Sequence, residues 1–245
     1  MAVDVEVDTA LVSLRTEDGR MEEDRAWREI PADAWGAAVP WRNFRSHAGQ
    51  KHYSGTYWCA TNHDHVIYES RLELARLIYV DFDRGVRKVV AQPFLLKAQV
   101  DGVWRRHVPD YLLVPTPGEA PLVVDVKPSH LRQKPKVARA LSWARAIVEA
   151  RGWRLEIWSE PPVAELANLR FLAGYRRAWL IDERALAEIQ NANLDGVTLA
   201  EALESFNGWP SWQVRPALLH ALWTQRLTTD LSKPLSLDHR LSVIP

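Results

Sequence analysis

Apolar residues recur at helical spacing early in the chain. They fit one face of an amphipathic helix: Tyr68, Leu72, Ala75 and Tyr79, with Leu74 and Ile78 widening the stripe. Glu69 and Glu73 lie four residues apart on this helix, where like charges repel unless a cation lies between or beside them. The plainer alternative is an ion pair between Glu73 and Arg76, three residues further on, and spacing alone favours it.

Short apolar runs after this helix predict strands that follow one another closely. The runs cover residues 94–100, 103–108, 111–114 and 122–126. Asp101 and Gly102 form a two-residue turn signal, so the first two runs are predicted to pair as a hairpin. A segment rich in Pro and Gly separates the last two runs, which are expected to be neighbouring strands.

A second amphipathic helix is predicted between Pro135 and Gly152. Apolar residues recur along it at Val137, Leu141, Ala144 and Val148, and a glycine commonly follows the end of a helix. The apolar, β-prone residues 153–158 predict one more strand. The order helix, strands, helix, strand is typical of an α/β sandwich around a mixed sheet.

Glu160, Pro161 and Pro162 mark the predicted domain boundary, because two prolines interrupt regular structure. The following residues are mostly helical in pattern, with helices expected at 164–173, 183–192 and 211–226. Thr198 and Glu201 form a capping box that opens another helix, and two short strands are expected around residues 232–234. Residues 163–245 therefore have the outline of a winged-helix-like domain, an order that small helical bundles share.

Residues 1–30 are acidic and show no sustained hydrophobic period. Their acidic positions are Asp4, Glu6, Asp8, Glu17, Asp18, Glu22, Glu23 and Asp24. We expect a mobile lead-in, either a solvated tail or, as the weaker alternative, a docking segment. The first folded domain is accordingly expected to span residues 31–160.

Composition and charge limit the classes of function. The chain has 245 residues, 47% of them hydrophobic, which is enough for two domains with their own cores. Its formal net charge is +0, whereas proteins that bind nucleic acid unaided usually carry an excess of Lys and Arg. Any nucleic-acid binding must therefore use local patches or a partner.

The chain carries no signal for export or for a membrane. Its single cysteine, Cys59, excludes an internal disulfide and a cysteine-based metal site, as expected in a reducing compartment. The N-terminus has no basic region followed by an apolar core, and no apolar run reaches the roughly 18 residues of a membrane span. We expect a soluble protein of the bacterial cytoplasm, associated with the nucleoid when active.

Two basic regions are candidates for DNA contact. Residues 41–58 interleave basic and aromatic side chains, a mixture suited to a nucleic-acid backbone and its bases; aromatic residues buried beneath a loop are an equally good interpretation. The polar side of the second helix carries further basic residues. The candidate contacts are Arg42, Arg45, Lys51, His52, Lys134, Lys136 and Arg139.

The strands at 111–114 and 122–126 place polar groups at their ends. Asp110 precedes the first strand, and Asp125 and Lys127 close the second. Strand side chains alternate, so Asp125 and Lys127 are expected on one face, where they can converge with Asp110. Carboxylates and the carbonyl of Val126 are ligands that Mg²⁺ accepts, and the Lys127 ammonium can orient a water or neutralise charge on a phosphate.

Pro109-Asp110, fourteen further residues and then Asp125-Val126-Lys127 match the signature of the PD-(D/E)xK nuclease superfamily. This sequence pattern alone is weak evidence, since its two short motifs occur together by chance in many chains. Its context strengthens it, because the triplet closes an apolar strand, a helix with glutamates precedes it and a helix with basic residues follows.

A closer resemblance is to the TnsA family, the endonuclease subunits of heteromeric transposases. It is carried by the residues 70–75, 92–94, Asp110 and 126–128 in this order, and covers roughly residues 50–160, more faintly the C-terminal part. The resemblance implies a restriction-endonuclease-like domain that uses Mg²⁺, with Mn²⁺ able to substitute, and cuts the 5′ strands at transposon ends. It also implies a DDE transposase subunit that acts on the 3′ ends, and an ATP-dependent regulator that binds the C-terminal region.

The resemblance also implies an active site of Glu73, Asp110, Asp125 and Lys127. The implied metal ligands are Glu73, Asp110, Asp125 and the carbonyl of Val126. Glu73 is selected over Glu69, which spacing cannot do, and Glu69 becomes a further carboxylate behind the ligands. The family also has Gln at the position of Asp125, so the number of metal ions stays open.

Two other functions remain. A free-standing restriction or repair nuclease of the same superfamily would cut generic DNA with Mg²⁺ and no partner. A non-catalytic DNA-binding or assembly module would keep the fold without the reaction. The complete set of Glu73, Asp110, Asp125 and Lys127 argues against the second alternative, because a scaffold has no need of a buried cluster of charges.

Overall fold

A computed structural model describes residues 4–31, 34–42, 53–132 and 134–243, without the side chain of Lys136. Of the predicted DNA contacts, Arg45, Lys51, His52 and the Lys136 side chain lie outside the described part. The chain forms two compact units, Met1–Glu160 and Pro161–Pro245. Mixed α/β structure is confirmed, with seven α-helices among the described residues.

The first sheet of the first unit is antiparallel. Its strands, in spatial order, are β2 (Met21–Ala26), β1 (Val5–Thr16), β7 (Leu95–Val100) and β8 (Val103–His107), with β3 (Ala38–Val39) also paired to β1. The predicted hairpin is confirmed, since Val100 pairs with Val103 across Asp101 and Gly102. Both turn residues have positive φ, 50° and 70°, as a two-residue turn of this kind requires.

Residues 5–26 are two strands, not the expected mobile lead-in. Ala10, Val12 and Leu14 alternate along β1 and are at most 3% exposed. This period of two buries one face of β1 in the central core. The prediction was wrong because acidic residues precede and follow these three positions, and this acidic composition outweighed a short alternating pattern.

The second sheet of this unit is mixed. Its strands, in spatial order, are β11 (Arg154–Trp158), β10 (Leu122–Val126), β9 (Tyr111–Pro115) and β6 (Val86–Ala91). β10 and β11 run parallel, and the other pairs are antiparallel. A parallel pair needs a crossover connection, which is supplied by the helix Pro135–Ala150 between them.

Helices cover this sheet. For later reference they are α1 (Arg71–Phe82), the short α2 (Ser129–Arg132) and α3 (Pro135–Ala150). α1 contacts β6 and β10, whereas α3 packs against β1 and β11. The two predicted helices and the predicted strands after the first of them are therefore present, with β6 as an addition. The first helix begins later than predicted, because Tyr68 ends the strand Asp64–Tyr68 and Ser70 caps the helix, so Glu69 lies before the helix and not on it.

The centre of the first unit is rich in tryptophan. Trp27, Trp35 and Trp153 pack edge to face at centroid distances of 5.1–5.3 Å. The guanidinium of Arg151 lies 5.0–5.3 Å from all three ring centroids and donates to the carbonyls of Trp27 and Ile30. This cluster joins the segment after β2 to the end of α3.

A hairpin of β4 (Gly55–Cys59) and β5 (Asp64–Tyr68) precedes α1. The buried carboxylate of Asp81 on α1 holds this hairpin in place. Asp81 accepts from the Tyr57 hydroxyl (2.8 Å), the Cys59 thiol (3.2 Å), the amides of Ala60 (3.0 Å) and Thr61 (2.7 Å), and the Thr61 hydroxyl (2.9 Å). Asp81 is thus fully surrounded by donors.

The second unit is mostly helical. Its elements are α4 (Val163–Leu172), α5 (Glu183–Asn191), α6 (Leu199–Ser205), α7 (Ser211–Trp223), β12 (Leu227–Thr228) and β13 (Ser242–Val243). The capping box of Thr198 and Glu201 is confirmed at α6. β12 and β13 are antiparallel, but the second strand lies well beyond the expected turn at 232–234, because Asn168 binds the carbonyls of Leu231 and Lys233 in that segment.

No helix in the described ranges is both long and apolar enough to cross a membrane.

Candidate active site

Asp110 and Lys127 meet where two neighbouring strands end. Asp110 directly precedes β9 and Lys127 directly follows β10, and the antiparallel register of these strands pairs Tyr111 with Val124. Oδ2 of Asp110 accepts from the Val126 amide (2.6 Å) and from Nζ of Lys127 (3.2 Å). Nζ also donates to the Val126 carbonyl (3.0 Å). The pairing of the strands thus brings together three of the predicted groups.

The charges of this pair depend on burial and on each other. Burial raises the pKa of the Asp110 carboxyl, and the charge of Asp125 adds to this, while the Lys127 ammonium opposes it. Burial lowers the pKa of Lys127, but the carboxylates of Asp110 and Asp125 outweigh it, so the net shift is upward. Lys127 is therefore a firmly held ammonium at neutral pH.

Glu73 lies in the first turn of α1, where its backbone and side chain take part in the helix cap. Ser70 is the N-cap, and its hydroxyl accepts from the Glu73 amide at 3.1 Å. The Glu73 carboxylate accepts from the Ser70 hydroxyl (2.9 Å) and the Glu69 amide (2.8 Å). These bonds satisfy free amides at the helix start, and they also fix the carboxylate in place.

The environment of Glu73 disfavours its charge. Burial raises its pKa to about 7, and the charges of Asp110 and Glu69 contribute in the same direction. Arg76 does not offset them, since it pairs with Glu156 on β11. The structure thus supplies an electrostatic coupling between Glu73 and Asp110 in place of the local ion pair that spacing favours.

Asp125 occupies a different position from the one expected. It is fully buried, and its Oδ2 lies 2.8 Å from Nε2 of His107 at the end of β8. Its Oδ1 has no hydrogen-bond partner within the described residues. Asp125 still acts on the other groups by its charge, because it raises the pKa of both Asp110 and Lys127.

The residues fit a hard divalent cation. Asp110 Oδ2 and the Val126 carbonyl already share one positive group, the Lys127 ammonium, at 3.2 and 3.0 Å. Asp125 offers a buried oxygen without a donor, and such oxygens are the ligands that Mg²⁺ binds. As the side chains stand, no three His, Cys, Asp or Glu residues of the described ranges form a ready metal group.

The predicted DNA contacts whose side chains the structure describes are all exposed. Arg42, Lys134 and Arg139 are exposed, and Arg139 forms an ion pair with Asp101. Of the interleaved aromatic residues, Tyr57 is buried against Asp81, whereas Tyr53 is 54% exposed. Part of the segment 41–58 therefore belongs to the core and part to the surface.

Sequence reasoning missed the residues of β8. This strand lies at the edge of the first sheet, with Trp104 half exposed and Arg105 and Arg106 exposed. Arg105 and Arg139 line a groove of about 370 Å³ between β8 and α3. The run of two arginines and a histidine before Asp110 was a visible signal, but nothing local linked His107 to Asp125.

No protein-family model matches the chain, and no curated protein matches it. The features that point to a function are therefore the motifs and the geometry of Glu73, Asp110, Val126 and Lys127.

Proposed function

We propose that this chain is the Mg²⁺-dependent endonuclease subunit of a TnsA-type heteromeric transposase. It cleaves the 5′ strands at the ends of a transposon by phosphodiester hydrolysis. The observation that carries the proposal is the junction of Asp110, the Val126 carbonyl and the Lys127 ammonium at the meeting ends of β9 and β10. The coupled carboxyl of Glu73, with its pKa of about 7, supports it.

The topology supports a restriction-endonuclease-like assignment. α1 precedes the antiparallel strands β6, β9 and β10, and α3 then crosses to the parallel strand β11. The candidate residues lie on the first helix and at the adjoining ends of the two central strands. The second unit, with four α-helices followed by the pair β12 and β13, supports a winged-helix-like assignment.

Each residue has a distinct role in the proposed reaction. Asp110, Asp125, Glu73 and the Val126 carbonyl would hold Mg²⁺, or Mn²⁺ in its place. When bound, the ion polarises the phosphate and lowers the pKa of an attacking water. Lys127 keeps its proton because of the neighbouring carboxylates, so its ammonium neutralises negative charge that develops on the phosphate.

The partners follow from the same proposal. The substrate is DNA at the transposon ends, a DDE transposase cuts the 3′ strands, and an ATP-dependent regulator binds the C-terminal unit. The net charge of +0 fits such an arrangement, because a nuclease that is delivered by a DNA-binding partner needs little affinity of its own. We place the reaction in the bacterial cytoplasm at the nucleoid.

Strand-specific cleavage tests the proposal. The full chain, Asp110→Ala and Lys127→Ala are each combined with the cognate transposase, Mg²⁺ and DNA carrying an element end. We expect both variants to lose 5′-strand cutting while the transposase still cuts the 3′ strand. Asp64→Ala is the matched control, since this aspartate is not among the proposed site residues and its side chain is 79% exposed. Unchanged 5′ cutting by both variants would overturn the assignment.

The same assay separates the alternatives. Cutting of generic DNA by the purified chain with Mg²⁺ and no transposase would favour a free-standing nuclease. Absence of 5′ cutting in the complete reaction, with the chain still required for assembly on DNA, would favour a non-catalytic module.

A further inference from the structure

Asp125 and His107 form a buried pair that the predicted active site does not explain. Asp125 is 0% exposed and the His107 side chain is 15% exposed. Nε2 of His107 lies 2.8 Å from Oδ2 of Asp125, although the two residues are 18 positions apart and belong to different sheets. The contact therefore exists only because the two sheets pack together.

The histidine is itself held in place. Its ring packs edge to face on Trp143 of α3, at a centroid distance of 6.2 Å, and Trp143 is 3% exposed in the central core. An ionised carboxylate only accepts hydrogen bonds, so with Asp125 in that form Nε2 of His107 is the donor. A rigid donor thus fixes one oxygen of Asp125.

The other oxygen of Asp125 remains without a donor. Oδ1 is buried and has no hydrogen-bond partner within the described residues. A buried polar atom without a partner lowers stability, and a buried carboxylate kept only for structure would use both oxygens. The charge of Asp125 raises the pKa of Asp110 and of Lys127, so Asp125 lies within electrostatic reach of the candidate site.

We propose that His107 is a positioning residue, which holds Asp125 through Oδ2 and so keeps Oδ1 available to the divalent cation. This inference rests on the proposed function. Groups that hydrogen-bond a ligating carboxylate orient it, and their loss typically lowers metal affinity or activity about 10–100-fold. His107 would act only through Asp125 and would not touch DNA.

Metal binding tests this role apart from activity. Mn²⁺ is titrated into the full chain and its variants, and the free ion is followed by electron paramagnetic resonance. We expect His107→Ala to weaken Mn²⁺ binding about 10–100-fold. His107→Gln, whose amide can replace the Nε2 donor, should recover most of the affinity. His65→Ala is the control, because this histidine side chain is 56% exposed.

Steady-state cleavage with the cognate transposase provides the second readout. His107→Ala should lower kcat by a similar factor and leave KM for DNA unchanged. Mn²⁺ affinity within twofold of the wild type in His107→Ala would overturn the proposal. Equal loss in His107→Ala and His107→Gln, together with a lowered melting temperature, would also overturn it and assign the pair to the core.

The two proposals fail in different ways. If Asp125→Ala leaves Mn²⁺ binding unchanged while Asp110→Ala abolishes it, Asp125 is not a ligand, and only the role of His107 is lost. If neither Asp110→Ala nor Lys127→Ala affects 5′ cutting, the proposed function itself is wrong, whatever the metal titration shows.

Discussion

Two buried aspartates of the first unit differ in how many hydrogen-bond donors surround their carboxylates. Asp81 is 8% exposed and Asp125 is 0% exposed. Asp81 accepts five hydrogen bonds from the β4–β5 hairpin and the turn within it. Among the residues that the structure describes, Asp125 is paired with His107 through Oδ2, and its Oδ1 has no donor. Burial alone therefore does not separate a structural carboxylate from a functional one.

The difference lies in how the negative charge is compensated. A carboxylate has about four lone-pair sites, and the neutral donors around Asp81 fill them. Around Asp125, Asp110 and Glu73, burial and the charges of neighbouring carboxylates raise the pKa of Asp110 and Glu73, and the Lys127 ammonium and a few hydrogen bonds offset this only in part. Such a cluster costs stability, and that cost is typical of sites that bind a cation or change charge during a reaction.

The largest expected effect is a loss of activity when a carboxylate of the candidate site is removed. Asp110→Ala should reduce 5′-strand cutting by at least about 10²–10³-fold, the usual consequence of removing one preorganised electrostatic group. Its melting temperature should fall less than that of Asp81→Ala, since Asp110 accepts one backbone amide and the Lys127 ammonium but is repelled by Asp125. The measurement is single-turnover cleavage beside a thermal melt. If Asp110→Ala is inactive because it is unfolded, Asp110 is a structural carboxylate like Asp81 and not a functional one.

The reverse is expected at Asp81. Asp81→Ala leaves the amides of Ala60 and Thr61 without their acceptor, so the free energy of unfolding should fall by about 3 kcal/mol. Urea denaturation of the full chain measures this. Activity of the folded fraction should remain near that of the wild type, and Asp64→Ala should behave as the wild type in both assays. If the free energy of unfolding falls by less than about 0.5 kcal/mol, the level of ordinary surface changes, Asp81 does not have the structural role inferred for it.

The raised pKa of Glu73 predicts how stability depends on pH. Between its ordinary pKa of 4.5 and about 7, the folded state binds more protons than the unfolded state, so stability falls as pH rises through this range. Asp110, whose pKa is also raised, acts in the same direction. The contribution of Glu73 is on the order of 2–3 kcal/mol and is complete above pH 7.

Glu73→Gln isolates this contribution. Chemical denaturation at several pH values should show a flatter profile for the variant than for the wild type, and greater stability of the variant above pH 7. Mg²⁺ should stabilise the wild type more at pH 8 than at pH 5, because the carboxylates it would bind are then ionised. A parallel profile for the two proteins would mean that Glu73 titrates normally.

The smallest effect is expected for an exposed charged residue that belongs neither to the candidate site nor to the surroundings of Asp81. Arg139 pairs with Asp101 on the surface and lines the groove beside β8. Arg139→Ala should weaken DNA binding in the transposase complex only a few-fold, and should reduce the slope of log affinity against log salt by about 1. Fluorescence anisotropy at several salt concentrations measures both values. An unchanged slope would remove Arg139 from the DNA contacts.

Features set by neighbouring residues could be predicted from the sequence. The turn at Asp101 and Gly102, the capping box at Thr198 and the strand β10 follow from turn chemistry, capping and apolar runs. Where several local signals conflicted, prediction was wrong, as in β1, whose alternating apolar residues are interspersed with acids. The tail strand β13 was misplaced because Asn168, far away in the chain, organises the preceding loop.

The sequence by itself determined the order of helices and strands and the polar groups at the ends of β9 and β10. Alternation and strand pairing act over a few residues, so they sufficed to bring Asp110 to Lys127. Tertiary structure alone decided that Arg76 pairs with Glu156 and leaves Glu73 to Asp110, and that His107 holds Asp125. These contacts depend on how helix and sheets pack, and packing distances between distant segments are not encoded in any local pattern.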